Sequence, residues 1–531
     1  MSAVSRPRFW IVVGGVLLLL ALGLAPVDAI SSPASRQQLR LSLQLAIGSA
    51  AIAMLIALPL AVLFMRINII GGQAAWLIVA LLLFAPLFVQ LAGWDAVGGW
   101  LGWYGRSAPQ AWLSGIAATT WVHGVAAVPW ATVIIAAGIA QVPRHEEELA
   151  LLEAPPLAIF THVLLPRITP WILVAGCIAA VTSWQDMTVT NVYLVPTVTE
   201  GIYNQIAINS GLGAAGDAVN AAIYLLPALV VIAGIFGMAV LVSQRLLAAD
   251  FPKNSLTPIR WPLQRQRIFW SVFVWTILLF LAGVPLFVLV RQAGLQLRLE
   301  GNEITRLWSP LTMLRALRRT LLTMQEDFVW TLLTAGTAAT ISLVLATVAA
   351  WWARVGGWRL LTIALLAAIL FALPGPLVGV TVISLLNRPE IPGFTYLYDR
   401  TLAAPAIAQA VRALPLTLLI VWHGLARFDR NQQEAAALDG CGPWTILCKI
   451  VLPQRWRAVV AAWGLALAIS IGDVANSLLV IPPGMDTVQR RLFGMIHSGV
   501  DDQVAAACLL LMGLMAVFVA SSKFIFRNSS F

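Results

Sequence analysis

Apolar runs near twenty residues long, separated by short polar gaps, recur from one end of this chain to the other. A bilayer core needs about 20 apolar residues per helix, and only helices or closed barrels satisfy their backbone inside it. The runs are continuous rather than alternating, which argues against a barrel. They predict an all-α membrane protein with twelve spans, at 9–29, 41–64, 75–93, 116–140, 171–195, 221–242, 268–290, 329–352, 360–386, 402–424, 459–482 and 503–522. Only 11% of the 531 residues are charged, against roughly 25% in soluble domains.

The first run follows Arg6 and Arg8 and precedes Val27-Asp-Ala29, a pattern that also fits a cleaved signal. A retained helix is expected, because the matching run 268–290 opens the second half and is no signal. The net charge of +10 is almost all arginine, since Lys253, Lys449 and Lys523 are the only lysines. In so apolar a chain that excess sets topology and meets lipid; nucleic acid is not an expected partner. Segment 243–267 holds Arg245, Lys253, Arg260, Arg265 and Arg267 against Asp250, with prolines at 252, 258 and 262. It reads as a cytoplasmic linker, which puts both termini inside. Cys177, Cys441, Cys448 and Cys508 form no disulfide framework and have no metal-ligand spacing.

The halves repeat. Pro166 and Pro453 are 287 residues apart, and the same offset pairs Glu147 with Glu434, Leu165 with Leu452, Ser183 with Ser470 and Asp186 with Asp473. An offset of 288 pairs Gly48 with Gly336 and Arg66 with Arg354. Two six-span units in parallel orientation follow, 1–242 and 268–531, joined by the linker 243–267. Segment 291–327 breaks the symmetry. Ser309-Pro310 starts a helix, and Leu311, Leu314, Leu317, Leu321 and Leu322 then alternate with Arg315, Arg318 and Arg319, as in an amphipathic surface helix.

Two polar gaps carry related loops, 141–170 and 425–458. In the second, Glu434-Ala-Ala-Ala-Leu is helix-forming, Gly440 and Gly442-Pro443 break the helix, and a second short helix is expected from Trp444 to Val451, stopping before Pro453. Glu434, Ala435, Ala436, Gly440, Ile450, Leu452 and Pro453 resemble, at every position, the signature of binding-protein-dependent ABC importer permeases. In the first loop Glu147, Leu165 and Pro166 match. Glu148 and Leu149 replace the alanines, Glu153 replaces the glycine, and Ala154-Pro155-Pro156 is expected to make the turn.

The resemblance implies a type I permease fold, here similar to the fused permeases of ferric-iron and thiamine importers. It implies no cofactor in this chain, two ATP-binding-cassette subunits docked on the loops from the cytoplasm, an extracytoplasmic solute-binding protein, and the cytoplasmic membrane of a bacterium. The chain has no Gly-Lys-Ser/Thr phosphate loop, so any ATP hydrolysis belongs to another subunit and this chain is not an enzyme. Fusion of the halves points by analogy to ferric iron, with thiamine, polyamines and phosphonates as alternatives. A secondary transporter with two six-span halves is a further alternative, though it has no need of the loops.

Asp186 and Asp473 fall inside spans, where an acid costs roughly 2.5–3.5 kcal/mol on insertion scales. With Ser183, Ser470 and Arg412 they form the candidate translocation path. Two readings stay open for the acids: lining the path, or capping broken helices. Arg412 is expected to pair with Asp473, snorkel outward or meet an anionic solute. His123 and His423 read as lone structural histidines.

Overall fold

A computed structural model describes residues 33–101, 114–209, 259–261, 266–300, 303–426, 428–498 and 501–526. The expected spans 9–29 and 221–242 lie outside them. Among the described residues seven helices are long and apolar enough to cross a membrane, and nine if each of two bent pairs is one crossing.

The first half begins with α1 (Pro33–Arg66), a bent pair α2 (Gly72–Phe84) and α3 (Leu87–Leu101), and α4 (Gly115–Ile139). The loop helix α5 (Arg144–Glu153) leads into α6 (Pro156–Trp184), and short helices α7 (Thr188–Val192) and α8 (Val198–Asn209) follow. The second half opens with α9 (Arg267–Ala293), an antiparallel hairpin of β1 (Leu295–Glu300) and β2 (Glu303–Trp308), and α10 (Pro310–Thr323). Then come α11 (Gln325–Ala353), the bent pair α12 (Gly357–Ala372) and α13 (Gly375–Leu386), α14 (Phe394–Arg400) and α15 (Ala403–Ala426). The second loop holds α16 (Arg430–Leu438) and α17 (443–454). Helices α18 (Trp456–Ile471), α19 (Val488–Ser498) and α20 (Asp501–Phe526) complete the described chain.

Long helix, bent pair, long helix, loop and broken helix thus occur in the same order twice. The expected spans 75–93 and 360–386 are not single helices. They bend by 104° and 105° at Ala85-Pro86 and Leu373-Pro374. A residue before proline is pushed into extended backbone, and Ala85 (ψ 120°) and Leu373 (ψ 126°) adopt it. The expected spans 171–195 and 459–482 also stop early, at Trp184 and Ile471, just before the two buried aspartates. The hairpin is the one strand structure among the described residues, and it sits in the segment that breaks the sequence symmetry. Helix α10 starts at Ser309-Pro310 as expected, with Leu311, Leu314, Leu321 and Leu322 exposed.

Close helix contacts rest on small residues, which let backbones approach. A Cβ at Gly124 of α4 would lie 2.7 Å from Ile52 Cβ of α1. In the second half α11 buries Ala335, Ala338, Ala339, Ala346 and Ala350. The largest core joins the halves, with Leu60, Phe88, Trp94 and Ile135 against Val288 of α9 and Leu511 of α20. A second core lies beneath the second loop, where Leu447 and Val451 meet Leu418 and Trp422 of α15 and Leu360 of α12.

Candidate functional site: a shared polar cavity and two loops

The breaks after α6 and α18 place both aspartates in one cavity of about 180 Å³ between the halves. Asp186 is 7% exposed; its Oδ2 accepts the Val189 N–H at 2.9 Å, which ties it to the first turn of α7. Asp473 is equally buried, and its Oδ1 accepts from the Asn476 side-chain amide at 2.6 Å and from the Asn476 N–H at 3.5 Å. The two readings of these acids are therefore compatible. Each carboxylate satisfies backbone at a helix break and also lines the cavity.

Arg412 of α15 lines the same cavity as both carboxylates. Its guanidinium lies 5.9 Å from the centre of the Phe371 ring. It turns inward instead of snorkelling, and its counterpart Ala126 lines the cavity without charge. The expected serines do not join. One helical step turns Ser183 from the cavity wall formed by Ala175, Ala179 and Thr182, and its Oγ sits 2.7 Å from Ser49 Oγ, bridging α6 to α1. Ser470 is fully buried and likewise outside the lining.

The lining also includes His123, Gln185 and Asn476, which were not expected in the path. His123 Nε2 lies 3.4 Å from Asp186 Oδ2, without hydrogen-bond alignment. Gln185, 1% exposed, has no side-chain hydrogen-bond partner among the described residues, and neither does Asp473 Oδ2. Gln185 and Asn476 were signalled by nearness to the acids. His123, on another helix, carried no sequence signal.

The loops take related but unequal forms. In the second, Asp429 caps α16 by accepting the Asn431 N–H at 3.0 Å. Gly440 makes the turn at φ 82°, the left-handed region glycine favours. Ala436 is buried on the second core, with Ile450 and Leu452 half-buried beside it. Glu434, Ala435 and Pro453 are exposed, as are Leu438 (89%) and Trp444 (58%). The second short helix does not stop before Pro453. It runs through the proline to Gln454 and breaks at Arg455. A wide π turn at Leu447–Val451 moves the carbonyls that the proline ring would strike.

The first loop uses the same device, a π turn at Phe160–Leu164 ahead of Leu165-Pro166. As expected, Ala154-Pro155-Pro156 supplies the turn. Leu165 is half-buried and Pro166 exposed. Glu147, however, is fully buried and pairs with Arg66 at 2.5 Å, while Arg66 also donates to the Ile139 carbonyl at 3.1 Å. It anchors the loop from within. Exposed pairs Arg144–Glu148 and Arg167–Glu146 lace the surface.

Comparison with known proteins bears on this arrangement. Residues 328–529 match the family described as Binding-protein-dependent transport system inner membrane component. The spermidine/putrescine transport system permease protein PotC of Escherichia coli (strain K12) is 34% identical over 117 residues, 22% of this chain and 44% of that protein. The putrescine transport system permease protein PotI of the same strain is 25% identical over 119 residues, 22% and 42% respectively. The putative 2-aminoethylphosphonate transport system permease protein PhnV of Salmonella paratyphi A (strain ATCC 9150 / SARB42) is 28% identical over 107 residues, 20% and 40%. The chain spans less than half the length of these relatives. Their names lend no support to ferric iron, which rested on the fused arrangement alone. Over residues 328–529 the chain thus resembles the inner membrane components of binding-protein-dependent transport systems.

Proposed function

We propose that this chain is the membrane subunit of an ABC importer that passes a small primary-amine solute, of the polyamine or aminoalkylphosphonate class, into a bacterial cytoplasm. The observation that carries the reading is the cavity between the halves, where Asp186 and Asp473 face one space with Arg412. Two carboxylates suit an ammonium group, and the arginine suits an anionic end where the solute has one. The named relatives point to the same chemistry, since each is a permease for an amine-bearing solute.

In this reading 1–242 and 268–531 are two permease units joined by 243–267, with both termini on the cytoplasmic side. The repeated order of elements supports it. The loops at 141–170 and 425–458 receive two separate ATPase subunits, and a binding protein delivers solute at the opposite face.

Purified complex in proteoliposomes tests the substrate. ATP-dependent uptake of labelled putrescine, spermidine or 2-aminoethylphosphonate is expected with the cognate ATPase and binding protein. Uptake of ferric iron in place of these amines defeats the reading. Combined Asp186→Asn and Asp473→Asn exchange should leave assembly intact and lower uptake per folded complex at least tenfold. Unchanged uptake removes the acids from the path.

A further inference from the structure

At the loop-bearing end of α1, the turn 67–71 is held by a segment distant in sequence. The Trp261 N–H donates to the Arg66 carbonyl at 2.9 Å. One Arg260 guanidinium nitrogen donates to the Phe64 carbonyl at 3.0 Å and the Ile67 carbonyl at 2.6 Å. These acceptors lie at the C-terminal end of α1, where carbonyls lack helical partners and a cation is favoured. Ile259 and Trp261 are each 8% exposed and belong to the core that contains Leu63, Phe64 and Ile67. Farther along, Arg267 donates to the Asn68 carbonyl at 2.7 Å and Trp275 Nε1 to the Ile70 carbonyl at 2.8 Å, while Ser271 Oγ accepts the Ile70 N–H at 3.0 Å.

The clamped residue is the one that holds the first loop. Arg66 gives its backbone carbonyl to Trp261 and its side chain to Glu147. Burial first, and the neighbouring Arg66 guanidinium second, push the Arg260 pKa below the ordinary arginine value. Two cations are thus crowded at one helix end, where the carbonyls and Glu147 offset their repulsion. The second half is built otherwise. Arg354 folds back on its own helix, donating to the Trp351 carbonyl at 2.6 Å and lying 3.4 Å from the centre of the Trp351 ring. The turn after it holds Gly356 and Gly357 at φ 79° and 60°.

We infer that the segment Ile259, Arg260 and Trp261 is a positioning element for the first loop, with Arg260 clamping the turn from which Arg66 holds Glu147. Its role in transport rests on the reading that the loops receive the ATPase; its role in ordering the loop does not. The connection between the halves is then part of the coupling apparatus and more than a tether. It steadies the loop whose signature is incomplete.

The test uses the full complex and two measurements. Hydrogen exchange over 144–153 should rise at least fivefold in Arg260→Gln and stay within twofold over 430–438. Arg260→Lys, which keeps a cationic donor, should recover at least half of the protection. A photo-cross-linking residue at Leu152, 83% exposed, should lose most of its ATPase adduct in Arg260→Gln, while one at Leu438 keeps it. Equal exchange at both loops, or none gained at 144–153, overturns the clamp. Altered exchange with no adduct at either loop in the parent protein upholds the clamp and defeats the docking reading instead.

Discussion

Glu147 and Glu434 occupy matching places in two loops of the same skeleton, yet one is fully buried against Arg66 and the other is exposed. Around Glu434 the turn is a left-handed glycine and the following helix presents Trp444; around Glu147 the turn is two prolines and the surface is laced by ion pairs. An exposed glutamate lies on the face that its loop turns to solvent. One that neutralises a buried arginine is bound to the membrane body. The first loop uses its glutamate as an anchor, whereas the second carries it at the surface.

The largest expected effect separates the two glutamates. Glu147→Gln leaves the Arg66 charge buried without its counterion, which costs about 3–5 kcal/mol. Glu434→Gln lies on the surface and should cost no more than about 0.5 kcal/mol. Thermal unfolding of the two variants in lipid nanodiscs gives the contrast, and equal melting temperatures break it.

The turns give a smaller contrast. Gly440→Ala places a Cβ at φ 82°, at about 1–2 kcal/mol, although the space around it is open. ATPase affinity should fall about tenfold. Glu153→Ala, at the matching place in a loop that turns on proline, should change it less than twofold. A stronger loss from Glu153→Ala reverses the ranking of the loops.

The smallest contrast lies in the caps. Asp429→Ala removes the side chain that accepts the Asn431 N–H and should weaken α16 by about 1 kcal/mol, read as faster exchange over 430–438. Pro143, at the start of α5, has no side-chain acceptor, so Pro143→Ala should leave exchange over 144–153 nearly unchanged. Similar shifts in both loops remove this difference.

Much of this was legible in the residues. Hydropathy marked the long helices, and the register between Glu147 and Glu434 marked the loops before any geometry was known. Gly440 told its conformation through the one property that distinguishes glycine. What stayed hidden depends on direction rather than identity. Ser183 and Thr182 are adjacent and both polar, yet only Thr182 faces the cavity, because a helix turns each neighbour to another side. A hydropathy window averages over Ala85-Pro86 and Leu373-Pro374, so it reads two half-length helices as one crossing. Glu147 looked like its partner Glu434 because nothing near it in sequence reveals Arg66, 81 residues earlier.

The π turns at Phe160–Leu164 and Leu447–Val451 are screw-phase shims. Each inserts one residue beyond the α repeat, and one residue is about 100° of rotation about the helix axis. Whatever lies before the shim is aimed by its presence. Deleting a single residue within 447–451 would restore the ordinary pitch, swing Pro443 and Trp444 through about that angle, and return Pro453 to a collision with the carbonyl behind it. The orientation of each loop's leading helix is therefore set by a count of residues, and it is open to change by the smallest in-frame insertion or deletion a gene can undergo.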